Sequence, residues 1–228
     1  MFSRGTDNNY GINLETNANY NTVDRNNVTT NGTTNSNIGI RLFTSLLQNN
    51  ITNNVIFVNG TGSNVGIRLD TDINITIIDG NNVTTTGSSG DNLGMVLITR
   101  ITSVNVTNNV INTSGTARNL GISLDTSTNN TIVLNNSIFS GGDSGGNSNN
   151  HGIRITSSAF LNNISSNRIY SRGTNDNYGV LLTTSANNTI VDRNNISTNG
   201  TTTANLGIIL VNSYGNITNN RIITNGST

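Results

Sequence analysis

A phrase of eight residues recurs eight times along the chain, and its spacing constrains the fold more than any other feature. Each copy opens with an Asn, a bulky residue and a Gly, and then alternates apolar with variable residues, from NYGINLET at residue 9 to NLGIILVN at residue 205. The steps between successive Gly residues are 28, 27, 28, 27, 31, 27 and 28 residues. A period this regular is typical of a solenoid, in which each repeat forms one coil of a continuous core.

The composition agrees with a solenoid made of β-structure. Charged residues are 10% of the 228 residues and cancel formally, which gives no indication of a nucleic acid partner or an anionic membrane. Cysteine and proline are absent, so the chain has no disulfides or thiolate metal sites, and no proline interrupts strand pairing. No apolar run has the length of a membrane span, and residues 1–9 do not resemble a signal peptide. We expect a soluble chain, with any export signal outside it.

The recurring phrase has the period of a strand with one buried face. Ile40, Leu42 and Thr44 alternate with Arg41 and Phe43, so the first three are predicted to point inward and the other two outward. No apolar spacing of three and four persists, and β-branched residues and Asn dominate, which excludes an α-helical repeat. The register of the aliphatic residues through eight coils excludes a disordered polar chain.

A second recurring unit joins two further strand-like segments in every coil. It consists of an aliphatic residue, two variable residues, Asn, one variable residue and another aliphatic, as in VDRNNV at 23–28 and ITNNRI at 217–222. Each coil then ends in a turn with Gly, such as Asn31-Gly32 or Asn199-Gly200, where Gly is expected to adopt a positive φ. The sequence therefore predicts three short strands per coil.

Asn recurs at two fixed positions, and each position predicts a ladder of stacked side chains. Identical amides one coil apart, roughly 4.8 Å, can pass hydrogen bonds along the stack. Asn also tolerates the left-handed backbone that tight bends require. The bend ladder, expected to cap the bend between the second and third segments, consists of Asn26, Asn54, Asn81, Asn109, Asn136, Asn167, Asn194 and Asn220. The start ladder, expected to cap the start of the first strand, consists of Asn9, Asn37, Asn64, Asn92, Asn119, Asn150, Asn177 and Asn205.

The units NNITNNVI from residue 49 and NITNNRI from residue 216 resemble the parallel β-helix repeat of the pectin-lyase-like superfamily. The resemblance extends over nearly the whole chain. It implies a right-handed, single-stranded parallel β-helix with three parallel sheets. Together with the period, this predicts an all-β fold of about eight coils of 27–28 residues in one domain over residues 1–228. Residues 2–34 also closely repeat residues 170–202, and neither end carries a capping helix or polar lid. We expect a segment of a longer array whose ends stack end to end.

The enzymes of this superfamily require grouped acidic residues, and the sequence does not group them. Pectate lyases need clustered calcium ligands with a basic residue, and polygalacturonases need clustered aspartates with a His and a cation. Glu15, Asp70 and Asp125 share an outward column, but in alternate coils roughly 10 Å apart. His151, the only His, takes the position of a bulky residue and is expected to be structural. We predict no enzymatic activity, no catalytic residues, no metal site and no cofactor.

The outward residues of the first segment form a candidate ligand-binding surface, which we call the outer strip. It consists of Arg41, Phe43, Arg68, Asp70, Val96, Ile98, Arg154, Leu181, Ile209 and Val211. It mixes cations with apolar groups and suits an elongated ligand such as a glycan, and cations on successive coils could bind a carboxylate or sulfate. The alternatives are a solvated face with local Arg and Asp pairs, or a face covered by another segment. The Gly-rich turn at 141–150 is a second candidate, or a flexible bulge. The residues predicted to contact a ligand on the strip are Arg41, Phe43, Arg68, Asp70 and Arg154.

Together these patterns predict a noncatalytic β-helix segment, secreted or displayed at the cell surface. It would act as a rigid spacer or as an adhesive module that contacts glycans or a host or cell-surface partner. No nucleic acid partner and no membrane span are expected. The alternative is a fragment of a carbohydrate-active β-helix enzyme, a polysaccharide lyase or glycoside hydrolase, whose catalytic coils lie outside this chain.

Overall fold

Three parallel sheets run the length of a stack of coils. The computed structural model describes residues 1–34, 36–142, 149–201 and 204–226, and all regular elements in these ranges are β-strands. Within them, the sheets contain eight, eight and nine strands, and a fourth sheet has two short strands. No helix in the described ranges is long and apolar enough to span a membrane. The predicted all-β fold, a parallel β-helix of about eight coils with three sheets, is confirmed.

Each coil contributes one strand to each main sheet, in the order first, second, third. The first sheet contains β2 (Tyr10–Glu15), β5 (Asn37–Phe43), β9 (Asn64–Asp70), β13 (Asn92–Ile98), β16 (Asn119–Asp125), β19 (Asn149–Ile155), β22 (Asn175–Thr183) and β25 (Asn205–Val211). The second sheet contains β3 (Thr22–Asp24), β7 (Asn50–Thr52), β11 (Ile77–Asp79), β14 (Asn105–Thr107), β17 (Ile132–Leu134), β20 (Asn163–Ser165), β23 (Thr189–Asp192) and β26 (Gly215–Thr218).

The third sheet closes each coil, and two shorter strands lie between the first and second sheets. The third sheet contains β1 (Phe2–Gly5), β4 (Asn27–Gly32), β8 (Val55–Gly60), β12 (Asn82–Gly87), β15 (Val110–Gly115), β18 (Ser137–Gly141), β21 (Arg168–Gly173), β24 (Asn195–Gly200) and β27 (Arg221–Gly226). The short pair consists of β6 (Leu46–Leu47) and β10 (Ile73–Asn74).

The pairing register aligns equivalent residues of successive coils. Ile40 pairs with Ile67 and Leu42 with Leu69 in the first sheet, and all four side chains are fully buried. The same alignment in the other sheets makes one continuous core of aliphatic side chains along the stack axis. Since each large aliphatic contributes about 1.5–3 kcal/mol on full burial, this core is the main source of stability.

Both Asn ladders form, but the start ladder is interrupted between Asn150 and Asn177. In the bend ladder, the amide of Asn54 donates to Asn81 Oδ1 at 2.9 Å and to the backbone oxygen of Val23 at 2.8 Å, and Asn81 bonds Asn109 in the same way. In the start ladder, Asn37 Nδ2 donates to Asn64 Oδ1 at 3.0 Å. The ladders give hydrogen-bond partners to side-chain amides that are buried away from water.

Two expectations about the bends are wrong in their details. The left-handed residue of the bend is not the ladder Asn but the residue before it, such as Arg25 at φ 54°, Asn53 at φ 55° and Gly80 at φ 65°. The Gly that ends each coil is not needed for positive φ. A Cβ on Gly32 would instead overlap the amide of Asn37, so the start ladder itself demands Gly at that position.

The predicted inward row ends at Leu42 and does not include Thr44. Thr44 and Ser45 have φ values of 65° and 58°, and this left-handed pair turns the chain out of the first sheet. Thr44 is half-buried, whereas Leu46, two residues later, is 1% exposed and fills the corner of the core. A third stacking position at this corner, where Asn21 donates to Asn49 Oδ1, was not predicted because only some coils carry Asn there.

The ends of the stack are not covered within the described ranges. Ile217 and Ile222, which occupy inward columns in the last coil, are 43% and 44% exposed. End-to-end association through such surfaces stays a prediction, as does the extent of the domain beyond this stack.

Candidate functional site

The outer strip occupies the solvent side of the first sheet in aligned columns. Arg41 pairs with Arg68, and Phe43 pairs with Asp70 on the next strand. The following coil continues these two columns with Val96 and Ile98. The predicted outward positions are therefore confirmed, and neighbouring coils place their side chains in direct contact.

Asp70 is the centre of the first charged cluster. Its carboxylate accepts from Arg68 Nε at 2.7 Å and from the Arg68 terminal nitrogen at 3.0 Å, a two-point pair. The Arg41 guanidinium lies 3.5 Å from the same Asp70 carboxylate and 3.8 Å from the carboxylate of Glu15. Asp70 is only 6% exposed, so its carboxylate is directed to the two arginines rather than to solvent. With Glu15 it balances their charge within the protein. The Arg and Asp pairing that the sequence left as the alternative is present, and an incoming anion would have to compete with Asp70.

Aromatic rings hold the Arg41 guanidinium in a fixed plane. Its central carbon lies 3.9 Å from the centroid of the Phe43 ring and 5.1 Å from that of Tyr10. Such cation–π contacts contribute roughly 0.5–2 kcal/mol each and restrict a side chain that would otherwise sample many rotamers. The first cluster therefore offers a rigid surface of guanidinium, carboxylate and aromatic groups.

An apolar stretch separates this cluster from Arg154. Ile38, Val65 and Val96 form a second small hydrophobic cluster outside the main core, with Leu93 and Ile98 packed against it. The structure brings Arg41, Phe43, Arg68 and Asp70 together, as expected, but places Arg154 apart from them, with the apolar stretch between.

Arg154 belongs to a second charged cluster. Its guanidinium lies 3.2 Å from Asp125 Oδ2 and 3.2 Å from Ser123 Oγ on the preceding coil. Burial lowers the pKa of Arg154, and the nearby Arg118 cation acts in the same direction. Arg118 pairs with Asp91 from the turns that border the sheet. This cluster is also balanced, two arginines against two aspartates.

His151 lies beside Arg154 as a neutral aromatic ring. It is 6% exposed and stacks on Tyr178, with ring centroids 4.9 Å apart and planes 18° apart. Burial lowers the pKa of His151 to about 3, with further contributions from Arg154 and Arg118. It pairs with Leu120 of the preceding strand, the bulky position expected from the sequence. At neutral pH the ring carries no charge and does not act as a cation.

The carboxylates of the strip are held by arginines. Glu15, Asp70 and Asp125 occupy one column in alternate coils, as predicted, and each lies within 4 Å of an arginine. Among the described residues, no group of three His, Asp or Glu could hold a metal ion. Most of the Gly-rich turn, residues 143–148, lies outside the described residues.

Sequence reasoning missed several members of these clusters. Tyr10 and Tyr178 share one outward column of the first sheet, and the recurring phrase marks that column as a bulky position. Their ring contacts depend on side-chain reach between coils, which the repeat pattern does not encode. Arg118 precedes the recurring phrase in a turn of variable sequence, so no pattern connected it to Arg154.

Comparison with known proteins finds similar solved structures, all at low sequence identity. The sequence matches no protein-family model and no curated protein sequence. The crystal structure of the Dettilon tailspike protein is 10% identical over 93% of this chain, with a TM-score of 0.44, and the chain spans 56% of the tailspike's length. A double mutant of the periplasmic alginate epimerase AlgG is 11% identical, covering 87% of this chain and 77% of its own, with a TM-score of 0.34. At these identities and TM-scores, the comparisons assign neither a family nor an activity, and membership of the pectin-lyase-like superfamily stays a prediction.

Proposed function

We propose that this chain is a rigid, noncatalytic β-helix module that contacts carbohydrate through the first charged cluster of the outer strip. The observation that carries the proposal is the two-point pair between Arg68 and Asp70, next to Arg41 and the rings of Phe43 and Tyr10 that contact it. Three sheets and two Asn ladders hold these groups on strands rather than on loops.

A sugar ring presents both kinds of surface that this cluster complements. Its hydroxyl groups donate to carboxylates and accept from guanidinium groups, and its apolar face packs on an aromatic ring. Because Asp70 and Glu15 together balance the charges of Arg68 and Arg41, the cluster favours a neutral glycan over an acidic one. The side chains are fixed before a ligand arrives, which lowers the entropic cost of binding.

The arrangement of carboxylates supports a noncatalytic role. Glycoside hydrolysis uses two carboxyl groups about 5–9.5 Å apart, one of them kept protonated as an acid. Asp70 and Asp125 each already accept a hydrogen bond from an arginine, so their oxygens are engaged within the protein. Because structural and adhesive glycans lie outside the cytoplasm, the proposal includes export or display at the cell surface.

Binding to immobilised neutral hexasaccharides of glucose, galactose and mannose tests the contact. Arg68→Ala and Phe43→Ala are expected to weaken binding to the retained sugar about tenfold, a loss typical of a charge-assisted or ring contact. Arg100→Ala is the matched control, because Arg100 makes the same two-point pair with Asp72, at 2.6 and 2.7 Å, outside the strip. Equal losses in all three variants, or no binding to any of the sugars, would contradict the proposal.

The noncatalytic role has a separate test. Incubation with the same sugars and with polyuronates, with and without calcium, should release no new reducing ends or unsaturated products. Turnover that disappears when Asp70 or Asp125 is replaced by Asn would show that the chain is an enzyme.

A further inference from the structure

The outward side of the third sheet carries positive charge without compensation in its own strands. None of its nine strands contains Asp or Glu. The first sheet, in contrast, pairs its arginines with Asp70 and Asp125, and the second sheet carries three aspartates. The third sheet's arginines are Arg4, Arg168, Arg172 and Arg221.

Two aromatic rings stack beside these arginines. Phe139 and Tyr170 pair on adjacent strands, with ring centroids 5.5 Å apart and planes 22° apart. The Arg172 guanidinium covers the Phe139 ring at 5.5 Å from its centroid. Gly141 makes this possible, because a Cβ there would lie 2.7 Å from Arg172 Cγ. The next residue of the aromatic column is Ser197, which is too short to cover the other face of the Tyr170 ring.

A groove separates the aromatic column from the column of Arg168. It has a volume of about 420 Å³ and is lined by Ser137, Ile138, Phe139, Arg168 and Tyr170. Small-molecule sites have volumes of roughly 300–1,000 Å³, so the groove has room for a sugar-sized ligand. Arg168 is exposed and forms no ion pair with any described residue.

The Arg168 column continues with two further polar groups. Arg168 pairs with Asn195, and Asn195 pairs with Arg221 on the last strand. Arg221 donates to Asn195 Oδ1 at 3.2 Å, so its side chain lies along the column. The two arginine positions are two strands apart, roughly 10 Å. This spacing suits a ligand with repeated negative charges rather than a single anion.

We propose that the groove between Arg168 and the Phe139 and Tyr170 rings is a second binding site, which takes an acidic glycan. A carboxylate or sulfate of one sugar pairs with Arg168, the ring of that sugar packs on Tyr170, and a later acidic group reaches Arg221. Nucleic acid fits less well, because successive bases need successive open ring faces. Here Arg172 and Tyr170 cover Phe139, which leaves one open face of Tyr170. This site differs in face and in ligand charge from the outer strip.

The charge requirement can be tested on the unaltered protein. Titration calorimetry would compare hexagalacturonate with its methyl ester, and sulfated dextran hexamers with unsulfated ones. We expect each acidic ligand to bind at least about tenfold more tightly than its neutral counterpart, and high salt to weaken binding. Equal affinity for the acidic and neutral ligands would overturn the proposal. Comparison of the sulfated with the carboxylated ligand shows which acidic group the site prefers.

The location is tested with substitutions already present in neighbouring coils. Arg168→Asn and Tyr170→Ser introduce the residues of the next coil, Asn195 and Ser197, so the strand should be kept. Each is expected to weaken acidic glycan binding about tenfold. Arg4→Asn makes the same change on β1, where the next coil has Asn31, and should leave binding within about twofold.

Three results would overturn the location or the ligand class. These are unchanged binding by Arg168→Asn, an equal loss with Arg4→Asn, or tighter binding of single-stranded DNA that the same variants weaken. Arg68→Ala, in the outer strip, should leave acidic glycan binding unchanged, so failure of the neutral glycan proposal and failure of this one are distinguishable.

Discussion

Replacement of Asn109 by Ala tests how far the bend ladder holds the coils together. Asn109 Oδ1 accepts from the backbone nitrogen of Asn81 at 2.9 Å and from its side-chain amide at 3.0 Å. Asn109 Nδ2 donates to the carbonyl oxygen of Ile78 at 2.9 Å and to Asn136 Oδ1 at 3.0 Å. The side chain is 1% exposed, so water cannot replace these bonds without opening the bend.

The magnitude follows from which partners are left without a bond. The Asn81 side chain keeps the backbone oxygen of Ile51, and Asn136 Oδ1 keeps the backbone nitrogen of Asn109. The buried Asn81 backbone N–H loses its acceptor, which costs about 1–3 kcal/mol, and the remaining lost bonds add about 1 kcal/mol. Asn109→Ala should therefore lower the free energy of unfolding by roughly 2–4 kcal/mol.

Urea unfolding followed by circular dichroism measures the loss, with Asn105→Ala as the matched control. Asn105 lies on β14 in the same coil but is exposed, so its replacement should change stability by less than about 0.5 kcal/mol. Repeat proteins can unfold in parts, so amide exchange at Asn81 provides the local readout. Equal stability of the two variants, with unchanged exchange at Asn81, would refute a stabilising role for the ladder.

Two further predictions concern glycine and pH. Gly66→Ala should destabilise the protein strongly, because the added Cβ would overlap Val83 and lie 2.6 Å from the backbone oxygen of Gly94. Gly80→Asn should be tolerated, since other coils place Asn at that left-handed position. Equal thermal midpoints of the two variants would contradict this prediction. Hydrogen bonds from Thr218 and Asn219 lower the pKa of Asp192. The ionised Asp192 carboxylate therefore stabilises the folded state above the ordinary Asp pKa, and this contribution is lost as pH falls through the lowered pKa. Below about pH 4 the wild-type thermal midpoint should fall more steeply than that of Asp192→Asn, and parallel curves would contradict it.

The fold can be predicted well from the sequence because a solenoid repeats the same arrangement of strands and turns in every coil. The period, the alternation of Ile40 and Leu42 with Arg41, and the fixed Asn each recur eight times, so a single accidental match cannot mislead. Register follows directly, since equivalent residues must stack when the period is constant. The ladder at Asn109 could be predicted for the same reason: identical amides in equivalent positions come within bonding distance in any parallel stack.

The candidate site was less predictable because it depends on the differences between coils. Arg68 pairs within its own strand with Asp70, yet Arg41 reaches the same carboxylate from the preceding coil. No repeat pattern specifies how far a long side chain extends or which neighbour it chooses. The role of Gly32 was missed for a related reason, because the close approach of Asn37 becomes visible only when two coils are stacked.

Two departures from the repeat lie on either side of the sixth coil, and only one of them interrupts a ladder. The step into this coil is 31 residues rather than 27 or 28, and the pairing of β19 with β22 shifts register between Asn149 and His151. At the register shift, Asn150 donates to the carbonyl oxygen of Arg172 at 2.6 Å instead of to Asn177. Asn177 Oδ1 and both His151 nitrogens then have no bond to any described residue. The start ladder is kept across the 31-residue step, where Asn119 donates to Asn150 Oδ1 at 2.9 Å, so its break accompanies the register shift rather than the longer step. The bend ladder continues from Asn136 through Asn167 to Asn194 over the same coils, so a break in one ladder does not interrupt the other.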